Sequence, residues 1–322
     1  MRAIFSALVC IAGVVLAPLH ASALDYPNRP VHVIVPFTAG GAPDVLMRML
    51  GQKLAEKWGQ GVVIENRAGG NTLIGTVAGA KSPPDGYTLT LAADQTFVLN
   101  PLLYPSLPYS MKEFDPIVLM ASIPHMLAVA NKVPVSNVRE LIALAKSNPN
   151  TVTFGTTGPG TIQRIATEYF AGIAGVKLVH VPYKGANETT TAILSGEIDM
   201  TINGMSNILP HIGEGKLKAL AVSTVTRNPL APDVPTMQEA GVPGYSSQGA
   251  FGLFAPAGTP KDIIAKIHAD IVGVMMNPDM KKALDARSFV TGGAGPAEFE
   301  KFIADENVKW QKVIKEANIQ IN

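Results

Sequence analysis

One stretch constrains this chain more than any other: Val31–Trp58, VHVIVPFTAGGAPDVLMRMLGQKLAEKW. Val31, Val33 and Val35, with Ile34 and Phe37, form a β-branched run suited to a buried strand. Thr38-Ala39-Gly40-Gly41 follows, and glycine there lets bare backbone approach a ligand closely. Pro43 suits a first helical turn, and Asp44 can cap its N–H groups. Leu46, Leu50 and Leu54 then recur every four residues, with Arg48, Gln52, Lys53, Glu56 and Lys57 on other faces. Strand, glycine loop and helix in that order put unpaired N–H donors and the positive end of a helix dipole at the loop. That is an anion site.

The same theme returns later. Thr151–Gly155 reads as a strand, Thr156-Thr157-Gly158-Pro159-Gly160-Thr161 as a glycine loop, and Ile162, Ile165, Ala166, Tyr169 and Phe170 carry helical spacing behind it. Between and after these units, strands are predicted at Gly61–Asn66, Tyr87–Ala92, Val176–Val181, Glu197–Ile202 and Leu217–Ser223. Helices are predicted at Asn71–Ala80, Val138–Lys146, Asn187–Leu194, Lys261–Met276, Asp279–Asp285 and Pro296–Glu316. Alternating strands and helices imply a mainly parallel α/β sheet. The proline-rich stretch Asn100–Pro116 and the turn-rich Pro229–Gly244 read as surface. Apolar runs at Ile117–Ala130 and Gly249–Ala255 read as crossings between two lobes, leaving a ligand cleft and room for hinge motion.

A length of 322 residues, 47% hydrophobic and 16% charged, suits about two domains. Met1-Arg2, the apolar run Ala3–Leu19 and Ala21-Ser22-Ala23 fit a cleaved secretory leader ending at Ala23/Leu24. The alternative, a membrane anchor, needs a run of roughly 20 apolar residues. The expected organisation is a leader at 1–23, lobe 1 at 24–124, lobe 2 at 125–248, and a return into lobe 1 at 249–322. The single cysteine, Cys10, lies in the leader, so the mature chain has no disulfide, thiolate nucleophile or cysteine-held metal. Loss of Arg2 leaves 25 basic against 25 acidic residues, which speaks against a nucleic-acid or anionic-membrane surface.

The two loops, Phe37–Asp44 and Thr156–Thr161, are the informative constellation. On facing lobes they would offer converging backbone N–H and threonine hydroxyl donors to a carboxylate. Singly, each is an ordinary βα turn with glycine. Neither loop has the glycine spacing of a dinucleotide fingerprint, and no Walker A or Gly-x-Ser-x-Gly pattern occurs. Asp44 is expected to face its own loop, since a carboxylate aimed at an anion repels it. Arg164 reads either as a carboxylate clamp or as a solvated partner of Glu168. Tyr183-Lys184-Gly185, between a strand and a helix, either lines the cleft or lies at the surface. Asp94, Gln95 and Asn203 stand at strand ends, as lining groups or as loop ties. The histidines show no metal-ligand spacing, with His180 expected to be packed, and no nucleophile has a base in reach. No catalytic group, cofactor or metal is therefore expected.

Several segments together resemble a known family: Val35-Pro36-Phe37-Thr38-Ala39-Gly40-Gly41-Ala42-Pro43-Asp44, Pro84-Asp85-Gly86-Tyr87-Thr88-Leu89, His180-Val181-Pro182-Tyr183-Lys184-Gly185, Asp233-Val234-Pro235-Thr236 and Ala255-Pro256-Ala257-Gly258-Thr259-Pro260, in this order. The chain is similar to the Bug-type solute receptors of tripartite tricarboxylate transporters over nearly its whole mature length. The resemblance implies a two-lobed, type II-like periplasmic binding protein fold. It also implies a monomer that captures a small carboxylate and delivers it to the integral-membrane permease subunits. In such receptors the loops matching Phe37–Asp44 and Thr156–Thr161 hold ligand carboxylates, partly through water. Two departures stand out: Arg164 replaces the histidine usual after the second loop, and Ala68 replaces the proline usual after Arg67. A sensory receptor without a transporter, or a hydrolase in the same cleft, is the alternative function.

Overall fold

The computed structural model describes residues 25–316 and Ile319. The expected leader, with Cys10 and the Ala23/Leu24 junction, lies outside the described residues. In chain order the elements are β1 (Val31–Val35), α1 (Ala42–Trp58), β2 (Val62–Asn66), α2 (Leu73–Ala80), β3 (Thr88–Ala93), a π-helical turn (Gln95–Leu99) and α3 (Asn100–Leu103). Then come β4 (Phe114–Ala130), α4 (Val138–Ser147), β5 (Thr153–Thr156), α5 (Ile162–Ala174), β6 (Val179–Pro182), α6 (Ala186–Ser195), β7 (Met200–Gly204) and α7 (Met205–Gly213). The chain ends with β8 (Leu217–Val222), β9 (Gln248–Pro256), α8 (Lys261–Met275), α9 (Pro278–Asp285), β10 (Val290–Ala294) and α10 (Pro296–Glu316).

The strand order is β2-β1-β3-β9-β4-β7-β5-β6, with β10 and β8 also paired to β4. It reads the same way outward from its middle. β1 lies parallel between β2 and β3, and β5 lies parallel between β6 and β7. The mainly parallel sheet expected from the strand–helix alternation is in fact mixed. β9 and β4 insert between the two parallel groups and pair antiparallel with each other and with β3 and β7. β4 pairs with β9 up to Pro124↔Gln248 and with β7 from His125↔Gly204 onward, so the chain changes halves between Pro124 and His125.

Local sequence explains most of these elements. Leu46, Leu50 and Leu54 bury one stripe of α1 against Val31, Val33 and Val35 of β1. Phe154, Ala166, Phe170, Ile193, Met200 and Ile202 form the corresponding core of the other half. A third cluster joins the halves, with Ile162 and Ile165 of α5 packed among Phe97, Phe254, Phe299 and Trp310. The result is an α/β protein of two lobes facing each other across a cleft.

One expectation changes, and two elements had no counterpart in the sequence reading. Asn100–Pro116 is not simply a surface loop, because Asn100, Tyr109 and Phe114 are buried and anchor it under α10. A helix that the sequence reading did not include, α7, starts directly after β7 and continues through Pro210. The glycine-rich segment at 290–294 is a strand, and Gly292 has no room for a Cβ, which would stand 2.4 Å from the Leu119 carbonyl oxygen.

Candidate functional site

The segments that follow β1, β2 and β3 face those that follow β5, β6 and β7 across a cavity of 710 Å³. Open α/β sheets place ligands at these carboxyl ends of strands. The cavity walls are largely apolar, with Phe37, Tyr104, Ile123, Ile162 and Phe251 among them. The charged side chains at the wall, among the described residues, are Asp94 and Lys184.

The first glycine loop is braced from behind. Asp44 accepts the Gly40 N–H at 2.8 Å and the Arg48 Nε–H at 3.0 Å. Asn66 Nδ2 donates to Asp44 at 2.9 Å and to the Phe37 carbonyl at 3.1 Å. Burial alone would raise the Asp44 pKa, but the bonds from Arg48, Gly40 and Asn66 outweigh it and hold the carboxyl below its usual range. Asp44 therefore faces its own loop, as the charge argument expected. It ties down the amide of Gly40 rather than the first turn of α1. Phe37, Thr38 and Gly41 line the cavity, whereas Ala39 and Gly40 are exposed and Asp44 is buried, all three off its wall.

The second loop is also self-braced. Thr161 Oγ1 donates to the Gly158 carbonyl at 2.9 Å. Thr156 Oγ1 lies 3.0 Å from that carbonyl and 2.7 Å from His180 Nε2, and it accepts the Gly158 N–H at 3.3 Å. These two hydroxyls hold the loop in shape, so they are not the ligand donors anticipated from the sequence. Thr157, Gly158 and Thr161 line the cavity, while Thr156 and Gly160 are buried off its wall. Gly160 instead touches the opposite lobe: a Cβ there would stand 2.3 Å from Asn71 Nδ2. Burial, then the Arg164 charge, hold the His180 pKa down at about 4. Arg164 is not a clamp at the wall. Its Nη1 donates to the Pro159 carbonyl at 3.1 Å, and its Nε lies 4.0 Å from Glu168, half-buried rather than solvated.

Deeper groups come from strand ends. Asp94 accepts the Gln95 N–H at 2.7 Å and the Ala250 N–H at 3.2 Å. Its burial pushes its pKa up to about 7 against those two bonds. Gln95 Nε2 donates to Asn71 Oδ1, and Asn71 Nδ2 donates to Asn100 at 2.7 Å. The Tyr183 hydroxyl turns away to Glu197 at 2.7 Å, leaving its ring at the wall. Asn203 lines the cavity beside Ser206 and Asn207. Sequence reasoning missed His125, Asn71, Ser206 and Asn207, and it left Lys184 open. His125 sits where β4 changes halves, with Nδ1 3.1 Å from Ser247 Oγ. The run Asn71-Thr72 carried a signal in retrospect. Both residues adopt left-handed backbone, with φ of 55° and 74°, which presents α2 to the cavity.

Five helices open on this cavity with their first turns: α1, α2, α5, α6 and α7. None of the five has a side-chain N-cap. Away from the cavity, α4 and α9 are capped by Asn137 and Asn277, although α8 begins uncapped at Pro260. The first N–H groups of a helix have no intrahelical partner. Five such ends directed at one cavity make it electropositive without an arginine at its wall. Among the described residues no group of three or more His, Cys, Asp or Glu is placed to hold a metal ion.

Known proteins resemble this chain over most of its length. A family model described as the tripartite tricarboxylate transporter family receptor matches residues 46–319. The protein BugT of Bordetella pertussis is 34% identical over 323 residues, covering 100% of this chain and 98% of that protein. The solved structure of R. palustris Rpa4515 with adipate superposes with a TM-score of 0.89 at 33% identity, covering 92% of this chain and 99% of its own. That of MatC (Rpa3494) from Rhodopseudomonas palustris with bound malate gives a TM-score of 0.84 at 28% identity, covering 90% and 100%. Among the described residues no helix is long and apolar enough to cross a membrane.

Proposed function

Because this chain belongs to the tripartite tricarboxylate transporter receptor family, we propose that it is a periplasmic solute receptor. It captures a small carboxylated compound between its lobes and delivers it to the permease subunits of a tripartite tricarboxylate-type transporter. The observation that carries this reading is the convergence of five uncapped helix starts on one cavity. A carboxylate there replaces water on several oriented amides at once, and charged hydrogen bonds are the stronger kind. The relatives solved with adipate and malate hold acids.

In this reading the first turns of α1 and α5 grip a carboxylate beside Thr38, Gly41, Thr157 and Gly158. Asp44, Thr156 and Arg164 act behind the wall by fixing the two loops. Lobe 1 comprises 24–124 and 249–322, lobe 2 comprises 125–248, and the lobes close on the ligand as a monomer. The leader at 1–23 exports the chain. The protein binds without turnover.

A thermal-shift panel of dicarboxylates, aromatic carboxylates and acidic amino acids tests the proposal. An acid at 100-fold excess over its Kd stabilises by about 2.7 kcal/mol. That is a rise of about 5 °C for a chain of this size. At least one acid is expected to reach it, with Kd micromolar or tighter. No shift from any member, with the protein verified as folded, would overturn the reading. So would consumption of an added ester or amide of such an acid.

A further inference from the structure

Beyond the two glycine loops, one corner of the cavity has donors that the protein itself does not use. Asn203 closes β7 and is 1% exposed. Its Oδ1 accepts the Gly204 N–H at 2.8 Å, which fixes the orientation of the amide. The opposite atom, Nδ2, is buried without a partner among the described residues, and so is Ser206 Oγ on the first turn of α7. Both residues line the cavity. Gly204 keeps the corner open: a Cβ there would stand 3.0 Å from Ile123, 3.7 Å from Ser206 Oγ and 3.9 Å from Asn207 Nδ2. α7 is uncapped, so its first amides point into the same corner.

We propose that Asn203 Nδ2 and Ser206 Oγ, with the first-turn amides of α7, form a second anion seat that selects acids carrying a second acidic group. This rests on the receptor reading above and adds to it which residues distinguish ligands. A buried amide donor left unpaired is unfavourable, and a carboxylate oxygen in this corner satisfies it. The seat is separate in sequence from both glycine loops. β7 adjoins β4, whose Ile123 and His125 form the wall there, whereas β1 and β5 lie one strand farther out in each lobe. An acid gripped by α1 and α5 at one end therefore has a seat for its other end. Asp94, the lone acidic side chain at the wall among the described residues, has an oxygen committed to each of Gln95 and Ala250 and faces its own backbone.

The test compares straight-chain α,ω-dicarboxylates of four to eight carbons with monocarboxylates of the same lengths by calorimetry on the full mature chain. The wild type is expected to bind its best dicarboxylate at least about 10-fold more tightly than the matching monocarboxylate. Ser206→Ala removes one donor. Asn203→Asp keeps the acceptor used by Gly204 and replaces the donor with a repelling oxygen. Each should weaken the dicarboxylate at least about 10-fold and the monocarboxylate less than about 3-fold, collapsing the preference. Unliganded melting curves verify that the variants fold, and Ser206→Ala keeps the test valid should Asn203→Asp unfold. Equal binding of mono- and dicarboxylates by the wild type, or equal losses for both in Ser206→Ala, overturns the second seat alone. Failure of every acid to bind overturns the receptor reading and the seat with it.

Discussion

Gly160→Val is expected to weaken acid binding by at least about 100-fold while leaving the unliganded protein folded. Gly160 is where lobe 2 meets Asn71 of lobe 1, with 2.3 Å available between a Cβ and the Asn71 amide nitrogen. No carbon fits in that space. Asn71 cannot simply turn aside, because Asn100 accepts from its nitrogen at 2.7 Å and Gln95 donates to its oxygen. The added methyl groups therefore hold the lobes apart, and an acid then reaches only one set of amides. Apparent affinity falls with the fraction of molecules able to close, and a hundredfold fall corresponds to about 2.7 kcal/mol against closure. Small-angle scattering of the variant with ligand should keep the larger radius of the unliganded protein. Asn71→Ala in the same chain should restore much of the binding, because the two changes meet at one contact. Binding within threefold of wild type would show that this contact does not limit closure.

The second large effect concerns pH. Asp94 and His125 are both buried at the cavity wall and displaced in opposite senses. Burial pushes Asp94 up to about 7 from 3.8, and burial with the nearby Lys309 charge pushes His125 down to about 3 from 6.5. Between pH 4 and 6.5 the folded state holds a proton on Asp94 that the unfolded chain releases, so this residue makes stability fall as pH rises. In the same interval the unfolded chain holds a proton on His125 that the folded state lacks, so this residue makes stability rise with pH. Each displacement is worth roughly 4 to 5 kcal/mol at full extent. In the wild type they offset and the profile is nearly flat. Urea titrations from pH 4 to 7 should show stability falling with pH in His125→Gln and rising with pH in Asp94→Asn, each by a few kcal/mol. Three parallel profiles would show that neither group titrates as its burial requires.

Much of this molecule could be read from adjacent residues. The strand, loop and helix over Val31–Trp58 are local events, and β1 and α1 form within a residue or two of the expected ends. The apolar runs Ile117–Ala130 and Gly249–Ala255 form the strands β4 and β9, because long apolar runs flanked by turn residues have few other fates. The strand pairing was not legible, since β9 reaches β3 and β4 across more than a hundred residues and nothing local records it. At the site, spacing located the glycine loops but not where their hydroxyls point. Thr156 and Thr161 turn inward to Gly158, a choice made by loop geometry rather than residue type. Ser206 and Asn207 were missed because no helix was expected over Met205–Gly213, the element that presents them. His125 was passed over because it has no metal-ligand spacing and lies within the apolar run Ile117–Ala130. It is packed, and it also faces the cavity.

The chain passes from the β9 side of the sheet to the β7 side beside Pro124–His125 and comes back to the β9 side beside Gln248, on neighbouring rungs of one ladder. Those two passages lie about 5 Å apart, the spacing of paired strands. Lobes joined by those rungs and by the packed cluster of Ile162, Ile165, Phe97, Phe254, Phe299 and Trp310 are held like the covers of a book along a broad spine, which resists one sliding past the other. Opening then bares the whole slot in a single movement. On the receptor reading proposed above, a membrane partner that touches the outer edge of both covers would read from their spread whether the page between them is filled.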